Sequence, residues 1–133
     1  MLHMLDTDTT SYLIKGKSPT AEIKLAALAP SMICISVMTR AELLYGLKRL
    51  AADHHLHLAV RQFLKIVRIL PWDVDACDWY ADIRHQLVST GQPIRELDMM
   101  IAAHSLSAGA VLVTYNTRYY ERIEAPLILE NWA

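Results

Sequence analysis

Four acidic residues, Asp6, Asp8, Glu42 and Asp98, stand where a fold could gather them into one site. Asp6 ends the first apolar run of the chain, and Asp8 follows two residues later. Glu42 and Asp98 each lie near the start of a helix-like segment. Carboxylates held close together repel and raise each other's pKa unless a cation compensates their charge. If the four acids converge, we expect them to hold a hard divalent ion, Mg²⁺ or Mn²⁺.

Each acid also has an ordinary structural explanation. Acidic side chains are favoured near helix N-termini by the helix dipole. Thr39 and Glu42 have the spacing of a capping box, which would make Glu42 a capping residue. Asp8 and Asp98 could each be a simple N-cap. Asp6 is harder to explain in this way, because a charge that ends an apolar strand is seldom there for packing. Local pattern alone leaves both interpretations open.

The opening motif also fits a second kind of chemistry. Residues 6–10 read Asp-Thr-Asp-Thr-Thr and match the Asp-x-Asp-x-Thr motif of haloacid-dehalogenase-like phosphatases, in which the first Asp is a nucleophile and the second a general acid. That family also requires an acidic pair after a late strand. This chain has Thr-Tyr-Asn-Thr at residues 114–117 and no Gly-Asp or Asp-Asp pair anywhere. The phosphatase is therefore the less favoured alternative.

Apolar periodicity predicts an alternation of strands and helices that would position the acids. The predicted strands are residues 4–6, 32–36, 66–70, 110–114 and 127–129, and the predicted helices lie around residues 12–15, 39–50, 56–64, 75–88 and 97–109. Strands that are apolar on both faces and separated by helices indicate a mostly parallel sheet covered on both sides. Functional groups gather at the carboxyl ends of such strands, where all four acids are expected to lie.

Composition sets the remaining limits. A chain of 133 residues predicts a single domain, residues 1–133. Hydrophobic residues make up 53% of it, but no stretch reaches the roughly 18 apolar residues of a membrane-spanning helix. The start lacks the basic region of a signal peptide, so we expect a cytoplasmic protein without a membrane. Thirteen Lys and Arg against fourteen Asp and Glu mean that nucleic-acid binding would depend on a local arrangement of charge. Cys34 and Cys77 are predicted to be buried free thiols.

Five blocks, in order and spacing, resemble the VapC branch of the PIN-domain ribonucleases, the toxins of type II toxin-antitoxin pairs. The blocks are residues 4–8, 36–46, 98–104, 112–118 and 130–132. The resemblance implies a three-layer PIN-like α/β fold with about five strands. It also implies a Mg²⁺- or Mn²⁺-dependent endoribonuclease in which Asp6, Glu42 and Asp98 form the acidic core and Asp8 contacts the metal directly or through water. The ending Glu-Asn-Trp points to a subgroup that cuts initiator tRNA in the anticodon region, which would inhibit translation.

The resemblance further implies partners: an RNA substrate, a VapB-type antitoxin whose tail covers the active site, a homodimer and larger toxin-antitoxin complexes. The apolar excess, including Leu43, Leu44, Tyr45 and Leu47, would supply surfaces for them.

Two departures from the family pattern affect the metal site. Asp8 replaces the more common Asn, and Asn116 stands where many relatives place a fourth acid, while Tyr119 falls where a close subgroup has Glu. The number of metal ions is therefore undetermined, and a catalytically weakened module that binds RNA or antitoxin is the alternative to an active nuclease.

Several other polar residues are candidates for secondary roles. Thr7, Thr114 and Asn116 could donate hydrogen bonds to phosphate or ligand water, although structural roles are as consistent with the pattern. Basic residues near the predicted site could hold flanking phosphates, or could simply be solvated: Lys15, Lys17, Arg40, Arg95 and Arg118. His104 is predicted to be a packed helix residue, and the histidines of residues 53–57 to lie in a solvated turn.

Overall fold

Five parallel strands form the centre of the molecule. The computed structural model describes residues 1–133. The strands are β1 His3–Leu5, β2 Ile33–Ser36, β3 Arg68–Leu70, β4 Val111–Val113 and β5 Leu129–Glu130. They form one sheet in the order β3-β2-β1-β4-β5, and every neighbouring pair is parallel. This confirms the expected α/β fold with a sheet of about five parallel strands.

Seven α-helices cover the sheet. They are α1 Thr7–Ile14, α2 Pro19–Ala26, α3 Val37–Lys48, α4 Leu56–Ile66, α5 Val74–Ser89, α6 Glu96–Ala108 and α7 Thr117–Tyr120. The sequence prediction missed α2 and the short α7. The start of α2 does carry a recognisable signal, because Ser18 is its N-cap, accepting from Ala21 N at 3.4 Å, and proline occupies the first turn.

Alternating strand residues divide the core into two halves, one on each face of the sheet. Met4 and Leu112 pack into one half with α5, α6 and Tyr120 of α7. Leu5 and Val113 pack into the other half with residues of α2, α3 and α4. The helices therefore form a layer on each side, because successive side chains of a strand point to opposite faces. Both layers exclude water from the centre of the sheet, where β1 lies.

Some element boundaries differ from the predicted ones. Helix α3 begins at Val37 with Ser36 as its N-cap, whose hydroxyl accepts from Met38 N at 3.0 Å. The predicted start at Thr39 is wrong because Ser36 already satisfies a free N–H one turn earlier. The last strand is Leu129–Glu130 instead of residues 127–129. The earlier start of α3 changes which of its residues can act as a cap.

The two cysteines differ in exposure. Cys34 is a buried free thiol, as predicted. Cys77 is exposed, so the prediction of burial was wrong for it. Its sulfur accepts a hydrogen bond from Trp72 Nε1 at 2.9 Å on the outer side of α5. No helix has the length and hydropathy needed to cross a membrane.

Candidate active site

The carboxyl ends of the three central strands define the site. Leu5 of β1 pairs with Ile35 of β2 on one side and with Val113 of β4 on the other. The next residue, Asp6, donates its backbone N–H to the Val113 carbonyl at 3.0 Å. Asp6 and Thr114 thus leave neighbouring strands at the same edge. This is the edge at which a parallel sheet collects functional groups.

Asp6 is buried and is itself the N-cap of α1. Its side chain is only 5% exposed and Oδ1 accepts from Thr9 N at 2.8 Å. Asp8 is therefore not the cap of this helix. Burial raises the pKa of Asp6, and the Asp8 charge adds to this, while hydrogen bonds from the Thr114 hydroxyl and from Thr9 act in the opposite direction. The carboxylate is thus held in a place that favours charge compensation by a cation.

Thr114 is well placed to orient that carboxylate. It is fully buried, and its Oγ1 accepts from Asn116 N at 3.0 Å. That acceptor contact leaves the hydroxyl proton free for Asp6. Asn116 itself is exposed, and its side chain makes no capping hydrogen bond to α7.

Glu42 is not a capping residue. Because α3 begins at Val37, Glu42 lies beyond the first turn. Its Oε1 instead accepts from Thr7 Oγ1 of α1 at 2.6 Å, and Thr7 in turn lies 3.1 Å from Thr39 Oγ1. Thr7 has one hydroxyl proton, so Thr39 donates to Thr7 while Thr7 donates to Glu42. The capping-box interpretation is therefore wrong, and a short hydroxyl chain fixes Glu42 against the start of α1.

Asp98 is also not a cap, although it lies in the first turn of α6. It pairs with Arg95, whose Nε lies 3.0 Å from Oδ2 and whose Nη2 lies 3.3 Å from Oδ1. The same Nη2 lies 3.4 Å from Oε2 of Glu42. The Asp98 hydrogen bond, followed by the charges of Asp98, Glu42 and Asp8, raises the pKa of the Arg95 guanidinium above its usual range. The sequence analysis treated Arg95 as a phosphate-holding or solvated residue near the site, whereas its guanidinium bridges two of the acids.

A narrow cavity of about 20 Å³ joins these groups. Its lining comprises the predicted acids of β1, α1 and α6 together with residues that the prediction treated as secondary or missed: Asp6, Thr7, Asp8, Arg95, Asp98, Asn116, Tyr119 and Tyr120. A void of roughly 10–15 Å³ is enough for one water molecule. Glu42 borders this cavity through its contacts with Thr7 and Arg95.

Tyr120 is a residue that sequence reasoning missed. It is 2% exposed, and burial raises its pKa well above the usual range, reinforced by the charges of Asp6 and Asp98. The phenol therefore stays protonated, and it lines the same cavity as Asp98. A tyrosine following a polar turn gave no signal that distinguished it from an ordinary core residue.

The oxygen atoms of the site are of the kind that bind a divalent ion, but the side chains are not arranged around one point in this conformation. All four acids offer the hard oxygen ligands that Mg²⁺ and Mn²⁺ prefer. No three His, Cys, Asp or Glu side chains are grouped so that they could hold a metal ion in this conformation. Positive charge between Glu42 and Asp98 comes instead from Arg95. The donor atoms are therefore of the kind a divalent ion takes, while Glu42 and Asp98 are paired with Arg95.

The other predicted basic residues divide into two groups. Lys15 lines a second cavity of about 360 Å³ that is also lined by Asp8, Glu42 and Arg49. Lys17 lines a further cavity that shares Lys15. Arg40 and Arg118 do not line these cavities. The second cavity thus runs from the acids to two cations.

His104 is a packed helix residue, as predicted. The prediction of a solvated turn was wrong for His57, which lies in α4 with its Nε2 buried and without a hydrogen-bond partner. His104 is 1% exposed, lies 2.7 Å from Ser36 Oγ through Nδ1, and packs edge-on against Trp72. Burial lowers its pKa. His54 stacks on His55 and accepts from Leu56 N, so it belongs to the turn before α4.

Comparison with known proteins agrees with this architecture. Residues 3–125 match the family model described as "PIN domain". The tRNA(fMet)-specific endonuclease VapC of Salmonella typhimurium is 36% identical over 129 residues, covering 97% of this chain and 96% of the relative. The crystal structure of DNA-bound VapBC from Salmonella typhimurium matches with a TM-score of 0.91, 35% identity and complete coverage of both chains. VapBC2 from Rickettsia felis, bound to a promoter DNA fragment, matches with a TM-score of 0.90 and 30% identity, also over both complete chains.

The fold and the family model together define the class of protein. The chain belongs to the PIN-domain family, in the VapC branch of it. This assigns the Asp-x-Asp-x-Thr segment to a PIN domain instead of a haloacid-dehalogenase-like phosphatase.

Proposed function

We propose that this protein is a metal-dependent endoribonuclease toxin of a toxin-antitoxin pair, with initiator tRNA, cut in the anticodon region, as its favoured substrate. The observation that carries the proposal is the convergence of Asp6, Asp8 and Asp98 on one cavity, with Glu42 at its border. Full-length similarity to tRNA(fMet)-specific endonucleases supports the choice of substrate. Cleavage of initiator tRNA would inhibit translation and would take place in the cytoplasm.

Asp6, Asp98 and Glu42 are the proposed metal ligands, with Asp8 as a further ligand or a partner of ligand water. When bound, a divalent ion at such a site supplies a Lewis acid for the scissile phosphate and a water of lowered pKa. The role of the chain is to fix the ligand oxygens in advance. Asp6 is fixed by the hydrogen bond that Thr9 N donates to its Oδ1 at 2.8 Å. Asn116, which is exposed beside the ligands, is free to donate its amide to a phosphate oxygen.

Hydroxyl groups hold the other ligands in the same way. Thr7 donates to Glu42 at 2.6 Å, and the protonated Tyr120 lines the narrow cavity together with Asp98. A hydrogen bond to a charged oxygen is among the stronger ones, so each ligand loses little entropy when an ion arrives. Each of these donors is neutral, so none of them repels an incoming cation.

RNA must approach an acidic site, and the second cavity provides a route. It begins at Asp8 and Glu42 and ends at Lys15 and Arg49. We assign the two cations to the phosphates next to the scissile one, because phosphate contacts fix the register of a nucleic acid. Both residues are exposed, so they are accessible to a strand lying across the surface.

An antitoxin would need a surface beside the site. An apolar groove of about 330 Å³ lies between α2 and α4, lined by residues that include Leu25, Phe63 and Ile66. Its neighbour, of about 420 Å³, continues along α1 and α4 to Ile14. Similarity to toxin chains solved in VapBC complexes leads us to assign this groove to an antitoxin segment. Leu43 and Leu47, expected to contribute to partner surfaces, are instead buried in the core of the chain.

Ile66 tests the groove because it is 83% exposed and lines both halves of it. We expect Ile66→Glu to weaken binding of the cognate antitoxin at least tenfold and to leave tRNA cleavage unchanged. Leu58→Glu is the matched control, because Leu58 is 65% exposed on the same helix and does not line the groove. Equal antitoxin binding by both variants in a titration would exclude the groove as the antitoxin site.

The formation of homodimers remains a prediction, measured by light scattering.

The deciding experiment is cleavage of total tRNA by antitoxin-free protein with Mg²⁺, compared with EDTA and with the Asp6→Asn variant. Discrete fragments from the anticodon region of initiator tRNA, lost in both controls, are expected. Fragments that persist in EDTA or with Asp6→Asn would exclude the proposed site. If the RNA stays intact but is bound, the catalytically weakened module is favoured. The first variants to make would then be Asp8→Asn and Asn116→Asp, which restore the more common residues of the family pattern.

A further inference from the structure

Arg95 combines a backbone held by a hydrogen bond with a side chain that is largely exposed to solvent. Its backbone N–H donates to Tyr119 Oη at 2.5 Å, immediately before α6. Its side chain is 61% exposed, whereas those of Glu42 and Asp98 are 17% and 15% exposed. The guanidinium therefore covers two largely buried carboxylates from the solvent side.

We propose that Arg95 is a built-in counter-ion that competes with the divalent metal for Glu42 and Asp98, so that the metal binds only when the guanidinium swings out. This inference rests on the proposed function, because it assumes that the acids are metal ligands. Arg95 Nη2 contacts Glu42 at 3.4 Å and Asp98 at 3.3 Å, which places positive charge between the two ligands.

The competition follows from charge and geometry. A guanidinium between the two acids repels an incoming divalent cation and occupies oxygen lone pairs that the ion needs. The bidentate contact with Asp98 is the stronger of the two, because it uses two N–H donors on one carboxylate. Because most of the side chain is exposed, its rotation into solvent requires no repacking of the core. The protein can therefore keep its acids compensated in the absence of metal and still accept the ion.

The test is Mn²⁺ binding to antitoxin-free, EDTA-treated protein, measured by isothermal titration calorimetry without any RNA. We expect Arg95→Ala to bind Mn²⁺ about tenfold more tightly than the wild type. Arg84→Ala is the matched control, because Arg84 Nη1 pairs with Glu96 at 2.9 Å near the start of α6 and is similarly exposed at 55%. Its Mn²⁺ affinity should stay within twofold of the wild type. Arg95→Gln keeps a polar side chain of similar length and serves if the alanine variant does not fold.

A second readout separates competition from a structural role. Without metal, Arg95→Ala should melt at a lower temperature than the wild type, because Glu42 and Asp98 lose their counter-ion. With saturating Mn²⁺, its gain in melting temperature should exceed that of the wild type. Unchanged or weaker Mn²⁺ binding by both Arg95 variants, with binding by the wild type intact, would overturn the competition and leave the metal site standing. Absence of Mn²⁺ binding in every protein would overturn both this inference and the proposed metal site.

Discussion

The pair of variants Asp6→Asn and Asp6→Ala separates the two roles of Asp6. Asn keeps an oxygen that can accept from Thr9 N, and it is as good an N-cap as Asp. Ala removes the cap and leaves the N–H of the fully buried Thr9 without a partner. We expect this loss to cost about 2 kcal/mol of unfolding free energy. For a chain of 133 residues the melting temperature should fall by roughly 6–10 °C.

The pH dependence of the stability difference between the wild type and Asp6→Asn follows from the pKa of Asp6. Burial raises that pKa, so the ionised carboxylate is penalised in the folded protein relative to the unfolded chain. In EDTA, the wild type should therefore be most stable relative to Asp6→Asn below about pH 4, the range of an unfolded Asp. This relative stability should decline as the pH rises through the raised folded-state pKa.

The assay is thermal unfolding in EDTA at several pH values, followed by tRNA cleavage with Mg²⁺. Both variants should fail to cleave, but only Asp6→Ala should be destabilised near neutral pH. If Asp6→Asn melted as low as Asp6→Ala, the fold would need the charge of the Asp6 carboxylate. The conclusion that a neutral side chain can cap α1 equally well would then be wrong.

Two further predictions concern the ligand supports and the RNA route. Thr7→Val should lower the single-turnover rate of cleavage about tenfold, because Glu42 loses one charge-assisted hydrogen bond worth about 1.4 kcal/mol. Thr7→Ser keeps the hydroxyl and should keep the rate. Full activity in the valine variant would show that Glu42 is positioned without Thr7. Lys15→Ala and Arg49→Ala should each raise KM several-fold, flatten the salt dependence of KM, and leave kcat unchanged, because each removes one phosphate contact. Lys48→Ala, an exposed change on α3 outside the cavity, is the control, and an equal effect of Lys48→Ala on KM would exclude the assigned route.

The sequence was sufficient to predict the parallel sheet. It also singled out Asp6, Asp8 and Asp98, which the structure brings to one cavity, while their role as metal ligands stays a prediction. Apolar runs with turn residues between them are local signals, and these located every strand to within a few residues. The helix caps were predicted less well, because several Ser, Thr and Asp residues compete for each helix start. Ser36, not Thr39, caps α3, and Asp6, not Asp8, caps α1. Which residue caps a helix depends on where the preceding strand ends, and tertiary pairing determines that position.

The contacts between distant segments could not be predicted. Arg95 was assigned to the rim because nothing in its neighbourhood specifies a partner 53 positions away. Tyr120 is similar, since it shares a cavity with Asp98 only in the folded chain. The close approach of these side chains results from the sheet order, which a single sequence does not encode in any local pattern.

The central position of β1 has a consequence for when activity can begin. Leu5 pairs with Ile35 and with Val113, so the strand made first completes its pairing only after β4 has been made. Asp98 and Thr114 lie in the last third of the chain, so these parts of the site are also made late in synthesis. The four acids can therefore converge only when most of the chain has been made. If the protein cuts tRNA, each molecule is therefore inactive until its own synthesis is nearly complete.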